Sequence, residues 1–362
     1  MFAPRTQRPV TVPGWLGTLG LATILTCVPV AVWAAFAARP TGDEAAPSHS
    51  GAAPAPALPS VAYAEQRDGM DWIMVRPLAG GDPSPVVAFP APFGVHLRGF
   101  ASPRGDQIAV LRATGERSHG RLTLVSLPDG MDVDAEGTFS YAGRIAWAPD
   151  GLQLAAVGED RTSLVVVDAA DGNRLRDHSF PGALEVAPIG YTGDGSAVFV
   201  VVVDAAGSTL WRWSATSRDR VGLLSPGPTL QWALSPDGAR LAYIDRLAVG
   251  GGQAFAGRTF VLATGEVLRA QGESDQLGAV WRPGAGVPEF GGPGGTLRLV
   301  EQTGAGTIIP LAWSGDGGAL VAGVTGAAEG APATLEVIHA DYRVPLSREP
   351  GAFFLGFVRD LR

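Results

Sequence analysis

Along residues 231–244 (QWALSPDGARLAYI) apolar residues alternate with smaller or polar ones, stop at Ser235-Pro236-Asp237-Gly238, and then alternate again. A period of two is the pattern of a strand with one face in a core, and Trp232, Leu234, Leu241 and Tyr243 supply that face. Asp-Gly between two such runs specifies a tight hairpin. Glycine takes positive φ without a Cβ penalty, aspartate tolerates it, and Pro236 ends ladder donation. The pattern recurs at 98–110 (RGFASPRGDQIAV), 145–157 (IAWAPDGLQLAAV), 189–200 (IGYTGDGSAVFV) and 311–324 (LAWSGDGGALVAGV). The turn aspartates Asp150, Asp194 and Asp237 follow one another at intervals of 44 and 43 residues.

Between copies lie two further strand-like runs, such as 163–168 with 174–179 and 258–263 with 266–270. Several short strands repeating every 40–45 residues specify a β-propeller, in which each repeat is one four-stranded blade. A unit beginning near 278 keeps a Trp and a Pro (AVWRPG) but no turn aspartate. Its second strand, near 287–291, is weak, and short runs at 296–301 and 307–309 stand in for its last two. The ends complete the ring. Residues 61–66, 72–77 and 85–89 read as second, third and fourth strands without a first, and 353–359 (FFLGFVR) matches 97–102 (LRGFAS) as a first strand. The expected fold is all-β: a single propeller over residues 61–362, closed by N- and C-terminal strands. It has seven four-stranded blades, or six if the shortened unit is lost. A single closed ring of this kind is expected to be monomeric.

The N-terminus follows a different pattern. Residues 15–38 (WLGTLGLATILTCVPVAVWAAFAA) are apolar and uncharged throughout. At roughly 1.5 Å per residue a helix of that length crosses a hydrocarbon core of about 30 Å. Arg5 and Arg8 precede it and Asp43-Glu44 follow, which favours a 14-residue tail at 1–14 in the cytoplasm and the rest outside. The span reads as a transmembrane signal anchor in the cell membrane. The alternative is a cleaved signal and secretion, because Ala35-Phe36-Ala37 has the small-x-small form. Residues 39–60 are rich in Pro, Ala and Ser without periodicity and form a linker.

Composition narrows the function classes. The 362 residues carry a net charge of −8, against the basic footprint of a nucleic-acid binder. All 27 basic residues are arginine, which excludes lysine Schiff-base chemistry and a Walker A lysine within this chain. The single cysteine, Cys27, excludes an internal disulfide framework and a cysteine zinc site. Its four remaining histidines outside the linker, His96, His119, His178 and His339, have no ligand-like spacing. No nucleophile elbow or H-E-x-x-H appears, so no catalytic, cofactor or metal residues are assigned. The acidic run 132–137 (DVDAEG) partly resembles a calcium loop, but the twelfth position, which needs a bidentate carboxylate, is Gly143. It reads as a solvated hairpin loop, with a weak surface Ca²⁺ site as the alternative.

The turns at 147–151, 235–238 and 313–317 resemble the WD40-like (PD40) repeat of TolB-type propellers, and the likeness extends over about residues 61–362. The Gly-His and Trp-Asp pairs of true WD40 repeats are missing. The resemblance implies an extracytoplasmic scaffold that engages partners over a propeller face. The Pro-rich connections into the first strands, 89–95, 180–185, 225–230 and 348–352, should gather on one face. There Phe93, His96, Arg144, Glu185, Gln231 and Arg348 are the candidate contacts for a protein partner. The alternative is a propeller enzyme, lactonase- or quinone-dehydrogenase-like, with a metal or cofactor at the central channel.

Overall fold

The computed structural model describes residues 60–91, 95–114, 119–249, 252–270, 275–297, 307–326, 333–347 and 351–361. The expected anchor at 15–38, its tail and the linker up to residue 59 lie outside the described residues. No helix among the described residues is long and apolar enough to cross a membrane.

Hairpins follow one another in chain order. β1 (Ser60–Arg67), β2 (Met70–Pro77) and β3 (Ser84–Pro90) begin the first sheet. The second holds β4 (Arg98–Ala101), β5 (Gln107–Ala113), β6 (His119–Ser126) and β7 (Asp132–Asp134), with the short β8 (Phe139–Ser140) also pairing with β6. The third holds β9 (Ile145–Trp147), β10 (Gln153–Val157), β11 (Ser163–Asp168) and β12 (Arg174–Ser179). β13 (Glu185–Tyr191), β14 (Ala197–Asp204), β15 (Gly207–Ser214) and β16 (Arg218–Ser225) make the fourth. β17 (Thr229–Leu234), β18 (Arg240–Val249), β19 (Gly252–Val261) and β20 (Glu266–Arg269) make the fifth. Among the described residues, β21 (Leu277–Val280) and β22 (Glu289–Gly291) form the next sheet. The last complete sheet holds β23 (Thr307–Trp313), β24 (Leu320–Thr325), β25 (Thr334–Ile338) and β26 (Arg343–Pro345). β27 (Phe353–Val358) then pairs antiparallel with β1, from Ser60↔Val358 to Ala64↔Phe353.

The molecule is an all-β propeller of six complete blades, with the two-stranded sheet between the fifth and the sixth. Seven four-stranded blades were expected, or six if the shortened unit is lost; six complete blades are present among the described residues. Residues 281–297 carry Pro283, Pro288 and Pro293 and a run of glycines, which lack ladder donors or strand-forming side chains. The run 307–309, expected to close the shortened unit, instead begins β23 of the next blade.

First strands meet around the axis: β27 against β4, β4 against β9, β9 against β13, β13 against β17, β17 against β21, and β21 against β23. Fourth strands face water, so β12 and β20 are largely exposed. The core lies between sheets, where each consecutive pair encloses an apolar cluster. Phe100, Leu122, Trp147 and Val165 fill one such gap. Val61, Tyr63 and Phe354 from the first sheet meet Leu311, Val321 and Val337 from the last, which closes the ring. Closure also explains Gly356, whose φ is +144° and where an added Cβ would lie 2.5 Å from the Ala101 Cβ.

Two tryptophans of the repeat tie neighbouring sheets together. Trp147 Nε1 donates to the Phe100 carbonyl at 2.8 Å and Trp281 Nε1 to the Ala233 carbonyl at 2.9 Å, the same register in both. Each bond caps a backbone acceptor within a buried interface.

Candidate functional site

The first hairpin of each unit fixes a common frame. Gly105, Gly151, Gly195, Gly238 and Gly317 each donate an amide to the carbonyl three residues earlier: Ser102, Ala148, Thr192, Ser235 and Ser314. In the serine and threonine copies the turn aspartate is spent locally. Asp237 Oδ1 accepts from the Ser235 hydroxyl and, at 3.0 Å, from the Ala239 amide. Asp316 does the same with Ser314 and the Gly318 amide, and Asp194 with Thr192 and Ser196. The Thr192 hydroxyl, then the Ser196 amide and hydroxyl, hold the Asp194 carboxyl down at about 2. These aspartates are turn builders on the face where the first strands end, here called the turn face.

The opposite, inlet face is where the connections enter the first strands. His96 Nδ1 lies 3.3 Å from Asp71 Oδ1, while Asp71 Oδ2 accepts the Leu97 amide at 2.7 Å. The His96 ring packs at 5.3 Å from that of Phe353, and its carbonyl accepts the Tyr141 hydroxyl. His96 thus seals the junction between β2, β27 and the approach to β4. Glu185 stands apart at the rim, where Oε2 pairs with Arg161 Nη2 at 3.0 Å and both side chains are about half exposed. Phe93 and Arg348 lie outside the described residues.

Arg144 and Gln231 do come together. Arg144 is 5% exposed, and its guanidinium donates to the Trp232 carbonyl at 3.3 Å and lies 5.6 Å from the Trp232 ring centroid. It therefore reaches from the third sheet past the fourth to the fifth. Gln231 sits in a bulge, because the β17–β18 register slips between Leu230 and Ala233. Its φ of +52° is uncommon for a residue with a Cβ. Gln231 is 1% exposed, and its Oε1 accepts the Gly278 amide of the next sheet.

Arg144 and Gln231 share one register, four residues before the first turn residue. The other positions of that register are Arg98, Pro188, Gly278, Pro310 and Leu355. Two successive pairs meet: Gln231 bonds Gly278, and a Cβ on Gly278 would lie 2.8 Å from Pro310. The result is an inner collar whose polar members are Arg98, Arg144 and Gln231, with Pro188 between the last two, and whose remaining members are Gly278, Pro310 and Leu355. Arg98 was not among the sequence candidates. It could have been found by laying the units over one another at the turn, which puts it level with Arg144. Its guanidinium lies 5.2 Å from the Tyr141 ring centroid.

The run 132–137 is used structurally as well. Asp134 accepts from Arg112 at 2.8 Å, Arg121 at 2.9 Å and Thr123 at 2.6 Å. Among the described residues no three His, Cys, Asp or Glu side chains are grouped to hold a metal ion.

No protein-family model matches the chain, and no curated protein does. Solved structures do. TolB from Acinetobacter baumannii is 15% identical with a TM-score of 0.50, covering 82% of this chain and 67% of that one. The β-propeller domain of the Trilobed protease from Pyrococcus furiosus is 12% identical with a TM-score of 0.53, over 80% of this chain and all of that domain. That domain is described as having an open velcro topology, whereas here β27 pairs with β1. An acylaminoacyl peptidase from Pyrococcus horikoshii has a TM-score of 0.54 at 14% identity, and this chain spans about half its length, 52%. At such identities the likeness is one of fold: a TolB-like β-propeller.

Proposed function

We propose that this protein is a propeller anchored in the membrane by residues 15–38 and held outside the cytoplasm, where it binds a protein partner through its inlet face. The observation that carries this reading is the division of labour between the two faces. On the turn face the aspartates of the repeat are consumed by their own hairpins. On the inlet face stand the His96–Asp71 pair, the Glu185–Arg161 pair, and the exposed Leu184 in the connection between β12 and β13, none of them part of a repeated turn. Propellers act through sites grafted on such faces rather than through the fold itself.

An enzyme with a metal or cofactor on the axis needs carboxylate, Asn or His side chains converging there. The collar at this end offers guanidinium, amide and apolar groups, a donor set that does not favour a metal cation.

A photo-crosslinking residue at Leu184, which is 68% exposed, or at the turn-face Leu152, which is 54% exposed, separates the faces in native membranes. The expected result is one discrete protein adduct from position 184 and none from 152. Adducts from 152 alone, or from neither, sink the reading.

A further inference from the structure

The outer wall between the third and fourth sheets interleaves arginines with aromatic rings. From β12, Arg176 and His178 reach across to the fourth sheet. The Arg176 guanidinium lies 5.2 Å from the Trp213 ring centroid, and the His178 ring stacks on Trp213 at 5.9 Å and meets Phe180 edge-on at 4.8 Å. On β16, Arg218 lies 5.4 Å from the Trp211 ring centroid, and its Nη1 donates to His178 Nε2 at 2.8 Å. A guanidinium only donates, so Nε2 accepts and the imidazole proton sits on Nδ1. Burial first, and the Arg218 charge second, hold His178 below its ordinary value and keep it neutral. His178 therefore aims Arg218 without cancelling its charge. Arg220 is exposed two residues further along, opposite Trp211 in the β15–β16 register.

This wall is positive in a chain whose net charge is −8. Arg176, Arg218 and Arg220 form no ion pair among the described residues. The acids of the same strands are engaged elsewhere: Asp177 pairs with Arg174 at 2.6 Å, and Asp219 accepts the Ser217 hydroxyl at 3.0 Å. Alternation also turns Asp219 to the opposite face of β16 from Arg218 and Arg220. Stacking on Trp211 occupies the plane of Arg218 and leaves N–H groups at its edge for an anion. The strand that carries these arginines is an open edge. β16 ends the order β13-β14-β15-β16, and no strand pairs with its outer side among the described residues. At eight residues without proline it is the longest fourth strand described, since β3 has seven with Pro85 and Pro90, and β12 has six. Charge rather than proline guards this edge, and a charge guard admits a strand of the complementary pattern.

We propose that the outer edge of β16 binds an extended acidic peptide segment by strand addition, with Arg218 and Arg220 pairing carboxylates at alternate positions. Alternate side chains of a strand lie about 7 Å apart on one face, the same spacing in the peptide as in β16. Opposite charges directly across a ladder favour the pairing, and Arg176 adds positive charge from the far side of the gap. Asp219 faces the other way, so the residue between two carboxylates is neutral or basic. A polysaccharide or a nucleic acid has neither this alternation nor the backbone N–H and C=O groups that complete a ladder. The site is on the outer wall of the ring, and it stands whether or not a protein docks on the inlet face.

The test uses the full chain in a neutral detergent and the fluorescence anisotropy of labelled, end-capped peptides. One peptide alternates Glu and Thr; its permutation gathers the same Glu residues in one block, so that composition and charge are equal. Saturable binding of the alternating peptide, about tenfold or more tighter than the block, supports the site. Equal affinity for the two, no binding of either, or tighter binding of a heparin oligosaccharide overturns it. Arg218→Glu combined with Arg220→Glu should weaken the alternating Glu peptide about tenfold or more and create binding of an alternating Lys-Thr peptide that the wild type ignores. That gain of binding requires a folded protein, so loss of fold cannot imitate it. Arg343→Glu, on the fourth strand β26 of another blade, should leave the affinity unchanged. A double variant that gains no Lys-Thr binding overturns the proposal, and so does an Arg343→Glu effect as large as that of the double variant.

Discussion

At the scale of single residues, the repeat's polar side chains have short-range structural work. Trp147 is the clearest long-range case, because its indole N–H satisfies the Phe100 carbonyl inside the gap between two sheets. Trp147→Phe keeps most of the apolar volume but leaves that carbonyl unpaired, at a cost of about 1–3 kcal/mol. A lower urea midpoint with an unchanged slope would check it. The turn aspartates predict behaviour in acid. Asp194 is held at about 2 and Asp316 is also held below the ordinary value of 3.8, mainly by the Ser314 hydroxyl and then the Gly318 amide. A carboxyl depressed in the folded state stabilises it above the unfolded value and loses that contribution as pH falls through the folded value. The wild-type urea midpoint should therefore drop between about pH 4 and pH 2, and Asp194→Asn with Asp316→Asn should flatten that drop.

At the scale of elements, β27 is the strand on which closure depends. It contributes Phe353, Leu355 and Val358 to the gap between the first and second sheets, and Phe354 to the gap between the last and the first. Deleting residues 353–362 removes material from both clusters and leaves β1 as an unpaired inner edge. Such a truncation should lose the cooperative thermal transition of the full chain; an unchanged melting temperature would refute closure by this strand. The two-stranded sheet is the opposite case. It survives with β21 and β22 because its inner strand still completes the ring between β17 and β23. Its crowding is extreme: a Cβ on Gly291 would lie 2.2 Å from the Ile308 carbonyl oxygen. Glycine there lets the next blade approach this sheet closely.

At the scale of the whole molecule, the proposed arrangement is a rigid ring at the end of a linker, attached through residues 15–38. Removing residues 1–38 should release the chain from the membrane fraction while leaving the far-UV signature of the sheets intact. If the truncated chain still pelleted with membranes after an alkaline wash, the anchor would have to be replaced by a docking surface on the ring. One register around the ring carries Arg98, Arg144 and Gln231 on some blades and Pro188, Gly278, Pro310 and Leu355 on others, a difference that is a property of no single blade.

The residues themselves determined the strands, their pairing order and the closing strand, because hairpin and turn preferences are local. An Asp-Gly turn between alternating runs needs no distant partner to be recognised, and 353–359 could be matched to 97–102 by side-chain type alone. Six of the blades follow from that reasoning. The state of the shortened unit does not, since whether 307–309 belongs to it or to the next blade depends on which neighbour competes better for the ladder. The candidate site divides in the same way. Gln231 and Arg144 were recognisable as residues on one face, but their meeting was not, because it joins positions 88 apart in the chain across an intervening sheet. Only ring closure decides which side chains share the axis, and only the bulge at Gln231 decides that its amide faces Gly278 and leaves its N–H groups buried and unspent.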